Sequence, residues 1–180
     1  VRMQIDLKSL LAAQLVPMAM ASLDEARMSE TERSVLALWR QWDYRMRVDS
    51  AAALVFDRFY LELGRALMAD ELGDELFALL ARKGTPYGQT MSHLLHKHQT
   101  SLWVDDVRTK DKRETFADLV QRSFGEAVSW AERELGGKPK EWEWGQVHTL
   151  TLKHPLARVK ILDMVFALNR GPYPVGGSGH

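Results

Sequence analysis

Between Trp144 and Leu156 the chain changes period. Val147, Thr149 and Thr151 alternate with His148, Leu150 and Leu152, a repeat of two that sends successive side chains to opposite faces of an extended strand. The spacing predicts a strand over residues 146–153. A lone strand leaves half of its backbone donors and acceptors without a ladder, so it needs a partner. That partner is either residues 174–180 of this chain, in the run Gly171-Pro-Tyr-Pro-Val-Gly-Gly-Ser-Gly-His180, or a strand outside these residues. A domain seldom stops directly after a strand and a glycine-rich turn, and the expectation is therefore a piece of a larger protein.

Composition narrows the function classes. A chain of 180 residues is long enough for one domain with a substantial core, burying roughly 70% of its unfolded surface. Lys plus Arg number 24, as do Asp plus Glu, so no net field attracts nucleic acid or an anionic membrane. With no cysteine, thiol nucleophiles, disulfides and thiolate metal sites are excluded within these residues. No apolar run approaches the ~20 residues of a membrane span. Val1-Arg-Met-Gln-Ile-Asp6 lacks the basic head and apolar body of a signal peptide and carries no initiator Met, which reads as a processed or excised product.

The rest carries a helical period. Leu7, Leu10, Leu11 and Leu15 predict a helix over residues 6–23, bent at Pro17 because proline removes a donor. Ser29-Glu-Thr-Glu32 is a capping box opening a helix to about residue 43, with Val35, Leu36, Trp39 and Trp42 inward. Asp49-Ser50 starts another, striped by Leu54, Val55, Phe59, Leu63 and Met68 and ended by Gly73. A short helix over residues 74–83 turns Leu76, Phe77 and Leu80 inward and closes on Gly84 in the left-handed conformation. Thr85-Pro86 restarts with Thr as cap, leading to Met91, Leu94 and Leu95 and ending near residue 100. Residues 101–111 form a loop anchored by Leu102 and Trp103. Residues 112–135 carry the stripe Phe116, Leu119, Val120, Phe124, Ala127, Val128, Ala131 and Leu135, stopped by Gly136-Gly137. A last helix over residues 156–169, opened by Pro155, buries Leu156, Val159, Leu162 and Phe166. The organisation is one incomplete, mainly α domain: a multi-helix layer over residues 1–143, then strand, short helix and Gly/Pro-rich turn over 144–180.

Three stretches carry a family likeness. Trp144-Gly145-x-x-His148, His154-Pro155-Leu156 and Phe166-x-x-Asn169-Arg-Gly-Pro-Tyr-Pro-Val-Gly176-Gly177-Ser-Gly-His180 resemble the late part of the large chain of the penicillin amidase family. Leu38-Trp-Arg-Gln-Trp-Asp43 and the helix after it agree more loosely. That family belongs to the N-terminal nucleophile hydrolases and includes penicillin, cephalosporin and acyl-homoserine lactone acylases. The resemblance implies an αββα architecture and an autocatalytically cut precursor. A new N-terminal Ser then supplies the nucleophile and, through its α-amino group near pKa ~8, the base. An Asn side chain and a backbone N–H would form the oxyanion hole. Residue 1 is Val and no Gly-Ser-Asn processing site occurs here, so nucleophile, base and oxyanion hole are expected outside these residues. The resemblance implies no catalytic cofactor. It allows a structural calcium in the complete enzyme, for which no ligands are identified in this sequence, and a periplasmic or secreted location.

Each candidate residue also has a plain structural reading. His93 and His96 share a helix face and would suit a divalent metal, but His98 points elsewhere and a solvated face is the expectation. His148 and His154 are expected to bond backbone in a turn, with Trp144 and His148 pinning the helical layer to the sheet. Gly176-Gly-Ser-Gly179 offers N–H groups to an anion, yet such runs more often turn into a strand, and Ser178 lacks a nucleophile elbow. Asp70-Glu71 and Asp105-Asp106 are adjacent carboxylates expected to point apart into solvent.

Trp144, Gly145, His148, His154, Pro155, Gly176 and Gly177 are thus structural candidates, and no catalytic, cofactor or metal residue is assigned. Two functions remain. One is a structural, pocket-supporting segment of an amidase whose partners are the rest of that enzyme and a small-molecule amide, the excised piece itself tending to dimerise through its open strand edge. The other is an autonomous helical protein-interaction domain.

Overall fold

The computed structural model describes residues 6–97, 101–158, 160–166 and 168–178. Helix α3, Ala51–Leu72, is the axis of the fold. Ser50 opens it, its hydroxyl accepting the Ala53 N–H at 3.1 Å, and Gly73 closes it at φ 77°, a conformation L side chains avoid. Phe56, Phe59, Leu63, Leu67 and Met68 are buried around it, and a helix apolar on more than one side is covered on more than one side. The longest contact is with α6, Phe116–Leu135, while α4, Asp74–Ala81, and α5, Gly84–His96, follow from its far end. Helix α2, Glu30–Arg40, packs on α3 and α6, and α1, Leu10–Ser22, packs on α6. Trp39 sits where α2, α3 and α6 meet. Its ring is edge-on to Phe59 at 5.3 Å and to Phe124 at 5.0 Å, and its indole N–H donates to the Ala52 carbonyl at 3.2 Å.

Local chemistry sets the helix starts. The Ser29–Glu32 capping box is present in both directions. A second one, Thr115 with Asp118, opens α6 at Phe116 rather than at the expected Lys112. The residues expected inward on α6 from Phe116 to Ala131 are buried, and Leu135 is half-buried against them.

Several expectations need correction. Helix α1 starts at Leu10 because Ser9 caps it; it runs through Pro17, and its inward face is Ala12, Leu15, Val16 and Ala19, leaving Leu10 73% exposed. Trp42 falls beyond the end of α2, half-buried, with its indole N–H donating to the Arg45 carbonyl. On α4 only Phe77 is buried, and Leu76 faces out. Gly84 is not a left-handed terminator but the first residue of α5, which has no side-chain cap. The loop after α5 is anchored by buried Val104, while Leu102 is exposed. Tyr87, absent from the expected core, is buried because Gly64 leaves room for it on α3: a Cβ there would lie 2.0 Å from the Tyr87 hydroxyl oxygen. That hydroxyl donates to the Tyr60 carbonyl at 3.0 Å.

The expected strand forms as β1, Thr149–Leu152, antiparallel to β2, Arg170–Pro174. Its partner thus lies within the chain but ahead of the expected stretch 174–180. Thr149 faces Pro174 and Leu150 faces Tyr173, and an irregularity between Leu150 and Leu152 brings Leu152 opposite Arg170. Between the strands lie a 3₁₀ turn, Pro155–Arg158, and helix α7, Lys160–Phe166. Leu156 and Phe166, expected inward, are exposed, because the described residues place no layer over them. Val159 and the side chain of Leu162 lie outside the described residues. Both strands are exposed along their whole length.

Candidate functional site

The motif residues gather where the hairpin meets the helical layer. After α6 a 3₁₀ turn at Trp144–Gln146, closed by Glu143 and Gln146 bonding each other's backbone, buries Trp144 and Gly145. The Trp144 indole N–H donates to the Gly177 carbonyl at 2.8 Å. The His148 imidazole stacks on the indole at 4.5 Å and 11°, and its Nδ1 lies 2.9 Å from the Val175 carbonyl. A carbonyl only accepts, so Nδ1 carries a proton. The Val175 N–H returns a bond to the His148 carbonyl at 3.1 Å.

The opposite wall is the segment between α2 and α3. The Gly145 N–H donates to the Val48 carbonyl at 2.7 Å, and the Gly177 N–H to the Met46 carbonyl at 2.8 Å. A Cβ on Gly145 would lie 2.5 Å from Val48 Cγ1 and 2.8 Å from Pro174 Cβ, and one on Gly176 would lie 2.9 Å from the Met46 carbonyl oxygen. The glycines are therefore close-approach residues. The Gly177 N–H is already engaged, which leaves the anion-nest reading without that donor; Gly179 and His180 lie outside the described residues.

His154 and Pro155 form a separate group at the far end of the hairpin. The Asn169 side-chain oxygen accepts the His154 N–H at 3.1 Å, and His154 Nδ1 accepts the Leu156 N–H at 3.2 Å. Nδ1 is thus unprotonated here, the opposite tautomeric demand from His148. His93 and His96 are exposed on α5, His96 Nδ1 bonding the Ser92 carbonyl at 3.2 Å, and His98 lies outside the described residues. Among the described residues no group of three or more His, Asp or Glu is disposed to hold a metal ion. Several hydroxyls serve the backbone: Ser9, Ser29, Ser50 and Thr115 cap helices, and Ser22 and Ser34 bond carbonyls one turn back.

A profile for penicillin amidase matches residues 1–180. The chain belongs to the penicillin amidase family. It is 30% identical over 203 aligned residues to an acyl-homoserine lactone acylase, QuiP, of Pseudomonas aeruginosa, covering 98% of this chain and 24% of that protein. A protein of the same name from Pseudomonas fluorescens is 28% identical over 92% of the chain and 19% of its own length. One from Pseudomonas syringae pv. tomato is 33% identical over 65% of the chain and 15% of its own length. The chain spans about a quarter or less of the length of these curated relatives.

The family motif is spatially one junction plus one hairpin end. Two features escaped sequence reading. Met46 and Val48 supply the carbonyls that hold Gly177 and Gly145, and nothing in a backbone acceptor's side chain announces that use. The carboxylates do not all point into solvent either. Asp106 is buried, bridged by Arg108 through two bonds of 2.8 and 2.7 Å, and this hydrogen-bonded guanidinium holds its carboxyl down at about 2. Asp70 Oδ2 accepts the Val107 N–H at 3.0 Å, and partial burial first, then the neighbouring Asp70, push the Glu71 carboxyl up to about 7.

Proposed function

We propose that these residues form the helical and hairpin-bearing part of an amidase-like hydrolase. It cleaves a linear amide, releasing an acyl side chain from a small molecule, with an N-terminal serine nucleophile carried elsewhere in the enzyme. The activity for which the relatives are named favours an acyl-homoserine lactone over a β-lactam as that molecule. On this reading the described residues are structural: the helical layer holds the hairpin in place, and the hairpin presents both strands to the remaining polypeptide, as in an αββα sandwich. The complete enzyme would be periplasmic or secreted.

One observation carries the proposal. Trp144 and His148 stack and tie, by one bond each, the segment that returns from β2, while Leu150, Leu152 and Tyr173 stay about half exposed, at 47, 53 and 48%. Apolar strand residues open to solvent are normally covered by further structure.

The test is His148→Ala in the complete enzyme. Yield of matured protein and melting temperature should fall, while turnover per matured molecule on a chromogenic acyl amide stays within about threefold, since a support residue does not contribute transition-state contacts. Normal yield with turnover lost by about a hundredfold would assign His148 to the chemistry instead.

A further inference from the structure

A cavity of about 340 Å³ opens between α3 and α6, a volume at the lower end of small-molecule sites. The small side chains of Ala66 and Ala69 on α3 leave the space, and the lining around them is charged. Three cations, Arg65, Arg108 and Arg122, meet three anions, Glu62, Asp74 and Glu126. The lining as a whole therefore carries no net charge to draw in a simple ion.

Most of these charges are already matched. Glu62 is paired with Arg58 and lies 3.9 Å from Arg65, Arg65 binds Asp74 at 2.9 Å, and Arg108 is bridged to Asp106. Arg122 and Glu126 are the exceptions: among the described residues neither forms an ion pair or a side-chain hydrogen bond. Asp106, the carboxylate that feels Arg122, is taken by Arg108. Arg122 and Glu126 stand one turn apart on α6, a spacing that puts Cβ atoms about 5–6 Å from each other.

Ser123 lies between them in the chain. It is 1% exposed, and its hydroxyl has no hydrogen-bond partner among the described residues. Other helical serines of this protein settle on the carbonyl four residues back, Ser22 on Met18 and Ser34 on Glu30. Ser123 does not, and a buried hydroxyl left so costs free energy until a partner completes it.

We propose that the cavity binds a free α-amino acid with a small apolar side chain: Arg122 and the Ser123 hydroxyl hold its carboxylate, Glu126 holds its ammonium, and Ala66 and Ala69 face its side chain.

The match is one of charge and spacing. An α-amino acid carries both charges on one carbon and is neutral as a whole, like the lining. Its carboxylate takes the forked guanidinium and a hydroxyl donor together. A carboxylate alone would leave Glu126 unmatched beside it, and an amine alone would leave Arg122 so.

Calorimetric titration of the complete enzyme with L-valine tests the site. Two matched probes accompany it, 3-methylbutanoate, which lacks the ammonium, and isobutylamine, which lacks the carboxylate. Valine should bind saturably with Kd on the order of 1 mM, and each single-charge probe at least about tenfold more weakly. Arg122→Gln and Glu126→Gln should each weaken valine about tenfold, and Ser123→Ala about threefold. Melting temperatures should hold, because Arg122 and Glu126 are exposed and the Ser123 change removes an unbonded hydroxyl. No saturable binding of L-valine, equal binding of either single-charge probe, or full valine affinity in the Arg122→Gln or Glu126→Gln protein would each overturn the proposal.

Discussion

The Trp144 indole and the His148 imidazole lie face to face, 4.5 Å between ring centres and 11° from parallel. Each ring also bonds a carbonyl of the segment following β2, Trp144 to Gly177 and His148 to Val175. Removing the imidazole should cost one hydrogen bond of about 1 kcal/mol and a ring contact of about 0.5–1.5 kcal/mol. His148→Ala is therefore expected to lower unfolding stability by roughly 1.5–2.5 kcal/mol, read from the denaturation midpoint. His148→Gln, able to donate to Val175 but not to stack, should recover only the hydrogen-bond share of about 1 kcal/mol.

Gly145 leaves no room for a side chain. Its Cβ would stand 2.5 Å from Val48 Cγ1 and 2.8 Å from Pro174 Cβ, so Gly145→Ala should destabilise by about 1–3 kcal/mol. Gly88 lies inside α5, and a Cβ added there would meet nothing within 4 Å. At that position the same change should stabilise by about 0.5–1 kcal/mol, because alanine loses less backbone freedom in a helix. Paired thermal melts distinguish the two sites.

Helix α5 is held on α3 by Tyr87 above Gly64. Tyr87→Phe removes the bond to the Tyr60 carbonyl and should cost about 1 kcal/mol. Gly64→Ala should cost more, since its Cβ would fall 2.0 Å from the Tyr87 hydroxyl oxygen. The double variant should be milder than the sum of the two, because the ring without its hydroxyl yields to the new methyl group. A double-mutant cycle measures that coupling.

Acid should loosen the loop before α6. The Arg108 hydrogen bonds hold Asp106 at about 2, below the ordinary 3.8. A lowered carboxyl contributes stability that is present above about 3.8 and lost as pH falls through about 2. Arg108→Gln leaves Asp106 buried without its cation, so its carboxyl rises and acid-induced loss of structure should start at higher pH. Circular dichroism during acid titration of the two proteins reads the displacement.

Much of this was legible. The Ser29–Glu32 box, the Ser50 start, the Gly73 stop and the α6 stripe each rest on chemistry confined to a few neighbouring residues. The misses came where partners are distant. Leu10, Leu76 and Leu156 have the right spacing for a core yet are exposed, because period shows which residues share a face and not whether another element covers it. Asp70 and Glu71 seemed, as neighbours, destined for separate solvent contacts, and it took the arrival of Val107 from 37 positions away to occupy one oxygen of Asp70. For the candidate site, the sequence named Trp144, Gly145, His148, Gly176 and Gly177 but not the Met46 and Val48 carbonyls they meet.

What the sequence by itself determined is the helical class, the helix boundaries set by caps and glycines, the change of period at β1 and the family motif. These are local, since a cap or an alternation acts within one or two turns of chain. Tertiary structure alone decided that β1 pairs with Arg170–Pro174, that His148 and His154 demand opposite tautomers, and that Asp70 receives the Val107 N–H. Each of those depends on a hydrogen-bond partner or a burial that only the folded chain brings into place.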